Sequence, residues 1–373
     1  MIRTDDVYER IDRYLNIQTQ NGYFMGSVLI SYQNQVILNK GYGFANYEHQ
    51  ILNSPVTKHR IGSISKQFTA AAVLLLQEEG RLRTSDSVSR YIEQFPNGDA
   101  ITIDHLLAHT AGVYNRWPPF QSMRLHSELS ELVKHIGAQP LVHRLDEQFH
   151  YSNPGYMLLA YIVERVSNIP FDLFLDKRLF QPLQMLDTGH DDHQKILTHR
   201  SSGYIYNRDL LHADFSDISK AVGSGSLYST VEDLHKWSLA LIEGRVLNEE
   251  SLQYMLAPSR HHYSCGLFFH EVDVSGKIRL RIGHLGRTEG FIGAVERFAD
   301  DETMIIVLSN YEYAPIEYLR KDITELIYGG TPFLPGEFTP LPYCKIIMQR
   351  LSGQYEIENS KLYKGFQIIE LNG

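Results

Sequence analysis

The chain has 373 residues, 43% of them hydrophobic and 21% charged, which is ordinary globular composition with enough length to bury a sizeable core. Lys and Arg number 35 against 44 Asp and Glu, a formal net charge of −9 that disfavours nucleic acid as a main partner. Two cysteines, Cys265 and Cys344, exclude a disulfide framework and are too few for a thiolate zinc site.

Met1 to Asp6 carries no apolar signal core. As written, the chain reads as a soluble, cytoplasmic protein, or a secreted or cell-envelope one if a leader has been removed. Thr4 to Ile17 reads as an opening helix, with Val7, Ile11, Tyr14 and Leu15 on one face. Phe24 to Phe44 alternates and breaks at Gln33-Asn34-Gln35, the pattern of a β-hairpin. Ser63 to Glu79 then reads as a helix that is apolar nearly all round, hence an interior one. Its apolar run, Ala70 to Leu76, is too short to cross a bilayer, and no membrane span is expected.

Further helices are expected over Ile103 to Ala108, Leu129 to Ile136, Pro154 to Val166 and Phe171 to Arg178. Ser229-Thr230-Val231-Glu232 reads as a capping box before another helix through Leu241. Strands return over Ser264 to Val272, Lys277 to His284, Phe291 to Phe298 and Met304 to Ser309, with Gly286 to Gly290 as one of the turns. A helix over Ile316 to Ile327 follows. Pro335, Pro340 and Pro342 mark a linker, and Leu351 to Leu371 reads as two or three short strands.

This order predicts an α+β fold: one antiparallel sheet assembled from both chain ends, with flanking helices and a mostly helical lobe. The expected layout is a domain over 1–332, with a sheet lobe over about 1–62 and 255–332 and a helical lobe over about 63–254. Residues 333–373 form the linker and a β-rich tail.

Three short segments carry chemistry. Ser63 is followed at the third position by Lys66, the one such pair in the chain. On a helix the two are neighbours, and a hydroxyl beside a lysine drawn out of water is a nucleophile beside a base. Free N–H groups of the first turn would stabilise negative charge there. A pair of this kind also arises by chance in a chain this long. In His150-Tyr151-Ser152-Asn153-Pro154-Gly155, Asn153 suits an N-cap and Pro154 a first helical position, so a plain helix start is one reading. The other reading is a phenol that shuttles a proton and an amide that orients a carbonyl. Gly283-His284-Leu285-Gly286-Arg287 ends a predicted strand. It is either a tight turn or a glycine-lined edge whose N–H near Arg287 supplies an oxyanion donor.

Taken in order, the three segments resemble the motifs of the serine β-lactamase and penicillin-binding-protein superfamily: Ser-x-x-Lys, Tyr-x-Asn and a Lys-Thr-Gly-like strand. Tyr151-Ser152-Asn153 resembles the class C branch, with its low-molecular-weight penicillin-binding proteins, D-aminopeptidases and related esterases. The likeness covers roughly residues 5–330, and Leu106 to Gly112, Leu179 to Met185 and Gly223 to Thr230 resemble further family segments of structural character. It implies a β-lactamase/transpeptidase-like fold and acyl transfer with no cofactor and no metal. Ser63 would attack a carbonyl, while Lys66 and Tyr151 share the base and acid roles. The Ser63 and Arg287 N–H groups would hold the oxyanion, with Asn153, His284, Gly286 and Arg287 binding substrate. The implied partner is a small molecule or peptide: a D-amino-acid peptide, a β-lactam or an ester.

One departure stands out. His284 occupies the position where classical β-lactamases have lysine, and neutral histidine anchors a carboxylate weakly unless Arg287 compensates. That favours peptidase or esterase chemistry over efficient β-lactam hydrolysis. The rival reading is a penicillin-binding or ligand-binding protein on this scaffold with negligible turnover. A Ser-His-Asp hydrolase is disfavoured, because the chain has no Gly-x-Ser-x-Gly elbow. His190-Asp191-Asp192-His193 and His261-His262 read as solvated segments rather than metal ligands. Trp117 to Phe120 reads as an aromatic loop that either borders a cleft or covers the core.

Overall fold

The computed structural model describes residues 4–115, 128–259 and 261–332, together with the strands Gly353–Glu356 and Gly365–Ile368. Two compact units are present, Met1–Pro332 and Phe333–Gly373. In the second, the two strands pair antiparallel. The aromatic segment Trp117 to Phe120 and the proline linker lie outside the described residues.

In the first unit, α1 (Thr4–Gln20) buries Val7, Ile11, Tyr14 and Leu15, the face its spacing predicts. β1 (Gly26–Tyr32) and β2 (Gln35–Tyr42) form the expected hairpin. Its two-residue turn puts Gln33 and Asn34 at φ of 51° and 59°, the mirror-image geometry that suits strand twist. After β3 (His59–Arg60), a 3-10 turn over Gly62–Ser65 leads into α2 (Lys66–Glu78). All residues from Lys66 to Leu76 are buried, so α2 is an axis of the core. Phe68 packs on Trp237, with ring centroids 4.3 Å apart, and on Phe180 at 5.5 Å.

α3 (Asn153–Ser167) lies against α2. β4 (Gly189–His190) and β5 (Leu227–Ser229) join β3 in a three-stranded patch with β5 central, and α4 (Val231–Ile242) follows. The remaining strands are β6 (Tyr263–Ser264), β7 (Leu267–Val274), β8 (Lys277–Thr288), β9 (Phe291–Phe298) and β10 (Thr303–Ser309). With β1 and β2 they form one antiparallel sheet in the order β6-β7-β8-β9-β10-β1-β2. The hairpin from the start of the chain thus completes a sheet begun by the later meander, as the element order predicts. β10 is buried along its whole length, because α4 and α5 (Ile316–Ile327) both pack on it.

Local expectations are corrected in four places. Ser63 sits in the 3-10 turn that precedes α2, not in the α-helix. The helix expected over Phe171 to Arg178 is α only to Leu175, then passes into a π turn over Asp176–Phe180. α4 is capped by Thr230, whose hydroxyl accepts the Asp233 N–H at 3.1 Å, one residue later than the expected box. Glu232 is not its reciprocal partner; it accepts from Asn39 instead. Strand β8 runs through Gly286 and Arg287 to Thr288, where a turn was expected, because β9 pairs with it all the way to Phe291.

Glu296 of β9 is 3% exposed and meets two guanidinium groups, Arg320 of α5 and Arg281 of β8. Burial raises its pKa, and the two arginines oppose that rise. Removing one partner from a buried ion group costs about 3 kcal/mol, whereas replacing the group by apolar side chains costs far less. Arg320→Met is therefore expected to lower unfolding stability by about 3 kcal/mol, and Glu296→Met in the same chain to recover most of it. Urea denaturation checks this; an unchanged midpoint for Arg320→Met shows that the ion group does not hold α5 to the sheet.

Candidate active site

The site begins with the turn before α2. Residues three apart in a 3-10 turn eclipse one another, so the backbone itself sets Ser63 over Lys66. Lys66 Nζ lies 3.0 Å from Ser63 Oγ, 2.7 Å from Asn153 Oδ1 and 2.6 Å from the Ser224 carbonyl oxygen. The lysine is fully buried, and burial drives its pKa well below the usual lysine value. A neutral amine has two N–H donors and one lone pair. The amide oxygen of Asn153 and the Ser224 carbonyl can only accept, so they take both donors. In the neutral form the lone pair would then be left for the Ser63 hydroxyl, 3.0 Å away, to donate to.

Tyr151 and Asn153 arrive with α3. The N-cap is Ser152, not Asn153: its hydroxyl accepts the Gly155 N–H at 3.0 Å. Asn153 becomes the first helical residue, and its side chain is thereby released to meet Lys66. Tyr151 lies with its ring centroid 4.8 Å from Lys66 Nζ, and the Tyr156 ring is 5.6 Å away. Burial raises the Tyr151 pKa, and its interaction with Ser63 offsets part of that rise. The phenol oxygen is buried, yet its approach to Ser63 falls short of a well-aligned hydrogen bond.

A histidine outside the three segments holds Tyr151 in place. The His109 ring packs at a tilt against Tyr151 at 4.5 Å, Tyr263 at 4.7 Å and Tyr156 at 5.0 Å. Its Nδ1 accepts the Ser152 N–H, so its proton is on Nε2, which contacts the Tyr263 hydroxyl at 3.1 Å. Burial holds the His109 pKa well below the usual histidine value.

The opposite wall is the edge of β8. Pairing with β7 reaches only as far as Gly283, and beyond it the Ser63 turn lies alongside the strand. Two glycines make this approach possible. A Cβ on Gly286 would lie 1.9 Å from the Ile61 carbonyl oxygen. Gly62 has φ of +51°, and a Cβ there would come within 2.7 Å of the Arg287 nitrogen. The first hydrogen bond of the turn runs from the Ile64 N–H to the Ile61 carbonyl, so the Ser63 N–H precedes it. The Ser63 and Arg287 backbones are thus close neighbours.

His284 is 5% exposed, and burial pushes its pKa down to about 3. Its Nδ1 bonds the Leu285 carbonyl, so it is a neutral ring, with Nε2 left as a buried acceptor without a partner. The Arg287 guanidinium does not compensate: it contacts Glu312 through the carboxylate at 3.5 Å and the carbonyl at 3.2 Å, and lies over Tyr313.

A cavity of about 110 Å³ holds Ser63, Asn153, Ser224 and Arg287, with Asp217 and Glu289 on its wall. Larger cavities of about 410 and 300 Å³ are lined by none of Ser63, Lys66 and Tyr151. In the His190-Asp191-Asp192-His193 segment His193 is exposed, as a solvated loop predicts, but Asp191 is buried and paired with both Arg60 and Arg200.

Sequence reading placed Ser63, Lys66, Tyr151, Asn153, His284, Gly286 and Arg287 at one site, and the fold gathers them there. It missed His109, Tyr263, the Ser224 carbonyl and Gly62. His109 and Ser224 lie in segments read as structural; a buried lysine needing acceptors was the available signal for Ser224.

A family model described as Beta-lactamase matches residues 16–325. The chain is 31% identical over 269 residues to a Bacillus subtilis (strain 168) protein named as a penicillin-binding protein, PbpX, covering 72% of this chain and 66% of the relative. It is also 31% identical over 345 residues to protein flp of Staphylococcus aureus (strain MRSA252), covering 86% of this chain and 67% of that one. It thus spans about two thirds of the length of these relatives. Among solved structures, FmtA from Staphylococcus aureus superposes with a TM-score of 0.76 at 23% identity, covering 90% of this chain and 93% of that one. The D-amino acid amidase from Ochrobactrum anthropi SV3, in complex with D-phenylalanine, gives 0.77 at 20% identity, covering 87% of this chain and 99% of that one. These two likenesses show the fold.

If the contact of Gly62 with β8 sets the gap between the two backbones, a methyl group there forces them apart. Gly62→Ala is expected to cut labelling of Ser63 by a serine-reactive fluorophosphonate by about 100-fold, with circular dichroism unchanged. Wild-type labelling in a folded Gly62→Ala protein refutes the arrangement.

Proposed function

The chain belongs to the beta-lactamase family, and on that basis we propose that it is a serine hydrolase that works through a covalent acyl-enzyme. The observation that carries the reading is the fully buried Lys66 amine, held by two obligate acceptors with its third position at Ser63.

In the proposed reaction the Ser63 oxygen attacks an ester or amide carbonyl as its proton passes to Lys66 Nζ. The new ammonium keeps its two acceptors and faces the Tyr151 and Tyr156 rings, which favour a cation. The carbonyl oxygen gains the negative charge and is stabilised by the Ser63 and Arg287 N–H groups. Collapse breaks the bond to the leaving group. That group takes a proton from the Tyr151 hydroxyl, which is replenished from Lys66. Because burial raises the Tyr151 pKa, the phenol is protonated at rest and suits the acid role. The same environment lowers that of Lys66, which suits the first base. Water then releases the acyl group by the reverse proton path. Asn153, with its oxygen on Lys66, presents its NH₂ to substrate.

Among substrates, the neutral His284 and the committed Arg287 favour a peptide, amide or ester over a carboxylate-anchored β-lactam. The solved relative that acts on D-amino acid amides supports an amide as a candidate.

Ser63→Ala is expected to abolish both p-nitrophenyl acetate turnover and fluorophosphonate labelling. A wild-type adduct with no product points instead to a penicillin-binding role, and no Ser63-dependent reaction with ester, fluorophosphonate or β-lactam overturns the proposal. The pH dependence gives a second check. Activity needs the neutral amine, whose pKa is lowered, so kcat/KM is expected to remain high well below pH 10.5. It should fall only as acid protonates Lys66. A rate that climbs steadily to pH 10 contradicts a depressed lysine. Tyr151→Phe is expected to slow anilide cleavage by roughly 100-fold but p-nitrophenyl ester cleavage by less than about tenfold, since p-nitrophenolate leaves without a proton. Equal losses on both remove Tyr151 from the acid role.

A further inference from the structure

We propose that His109 is a positioning residue for proton donation: it clamps the backbone on both sides of Tyr151 and, through Tyr263 and Tyr156, commits the protons of the neighbouring phenols, so that the Tyr151 hydroxyl alone serves the leaving group. The inference rests on the hydrolase reading above and deepens its acid step.

The clamp uses one residue twice. The His109 carbonyl accepts the His150 N–H at 2.9 Å, and its Nδ1 accepts the Ser152 N–H at 3.1 Å. Tyr151 lies between these two anchors, with its ring against the same imidazole. His109 follows the short helix Ile103–Leu107 and takes a left-handed φ of 57°. Few side chains other than Asn, Asp and His adopt that region. The residue is buried, so its backbone and ring are both fixed by what they touch.

The other nitrogen opens a chain whose direction is set at both ends by the backbone. At one end the Ser152 N–H can only donate, which puts the His109 proton on Nε2. That N–H meets the Tyr263 hydroxyl at 3.1 Å. The Tyr263 hydroxyl also meets that of Tyr156. At the far end the Tyr156 hydroxyl donates to the Leu107 carbonyl at 3.0 Å, and a carbonyl can only accept. Tyr263 therefore accepts from His109 and donates to Tyr156. His109, Tyr156 and Tyr263 are all buried, so water does not interrupt the chain. Tyr156 is a close rival to Tyr151, since its ring is 5.6 Å from Lys66 Nζ against 4.8 Å for Tyr151. With their protons committed, neither Tyr156 nor Tyr263 can hand one to Lys66 or to substrate. The Tyr151 hydroxyl stands outside the chain and approaches Ser63 instead.

The test measures kcat/KM, which reports acylation, for p-nitrophenyl, phenyl and ethyl acetate, with background hydrolysis taken from Ser63→Ala. The acyl group is constant, and the leaving group needs a donated proton more at each step. His109→Leu is expected to slow the ethyl ester by about 30-fold and the p-nitrophenyl ester by less than about threefold. His109→Asn keeps an acceptor for the Ser152 N–H and suits a left-handed backbone, so it should recover most of that loss. Tyr263→Phe leaves the His109 backbone alone but breaks the chain, and should slow the ethyl ester by about fivefold. In a Tyr151→Phe background neither change should slow the ethyl ester further, because both act through that phenol. Equal losses on all three esters mark a merely structural role and overturn the inference. So do additive losses in the Tyr151→Phe background, or wild-type rates in both His109→Leu and Tyr263→Phe. If His109→Leu does not fold, Tyr263→Phe decides by the same comparison. A wild-type protein that cleaves only the p-nitrophenyl ester has no donor to position: the inference falls and the hydrolase reading stands. Loss of every Ser63-dependent turnover overturns both.

Discussion

A lysine amine without water is the constraint around which this site is arranged. Removing an ammonium from water costs several kcal/mol, and burial accordingly pushes the Lys66 pKa well below the usual lysine value, toward the neutral amine. Once neutral, the amine still has polar N–H groups that must be satisfied. The Ser224 carbonyl and the Asn153 amide take them. What remains is a lone pair with one neighbour, the Ser63 hydroxyl. The proposed reactivity follows from this hydrogen-bond accounting in a dry interior.

That interior is made by α2. A helix buried on all sides is a strong anchor because it packs on several elements at once. Trp237 of α4 and Phe180 at the end of the π turn close on Phe68, while α3 lies along α2. The Ser63 turn therefore sits at the start of a helix buried from Lys66 to Leu76. From the other side, β8 approaches so closely that only glycine fits at positions 62 and 286. The sheet supplies a straight backbone edge and the helix a fixed turn, and the gap between them becomes a place where an oxyanion can rest.

The electrostatics divide the cleft. On the Tyr151 side, His109, His284 and the aromatic rings form a neutral, buried wall that raises a phenol and lowers a lysine. On the other side the Arg287 backbone, Asp217 and Glu289 border the cavity.

Much of this was legible in the residues themselves. The hairpin, the buried helix, the meander and the antiparallel sheet follow from periods of 2 and 3.6 and from turn residues, since local geometry decides which side chains can share a face. Ser63, Lys66, Tyr151, Asn153, His284, Gly286 and Arg287 could be proposed because their chemistry is tied to residue type and short spacing. Tertiary structure decided what spacing does not encode. It moved the α3 cap to Ser152 and so freed Asn153, carried β8 past the expected turn, and brought His109 and the Ser224 carbonyl to the reactive groups. It committed Arg287 to Glu312 and buried Asp191 between two arginines. Protonation state and charge balance depend on desolvation and on partners distant in the chain, and both exist only once the chain has closed on itself.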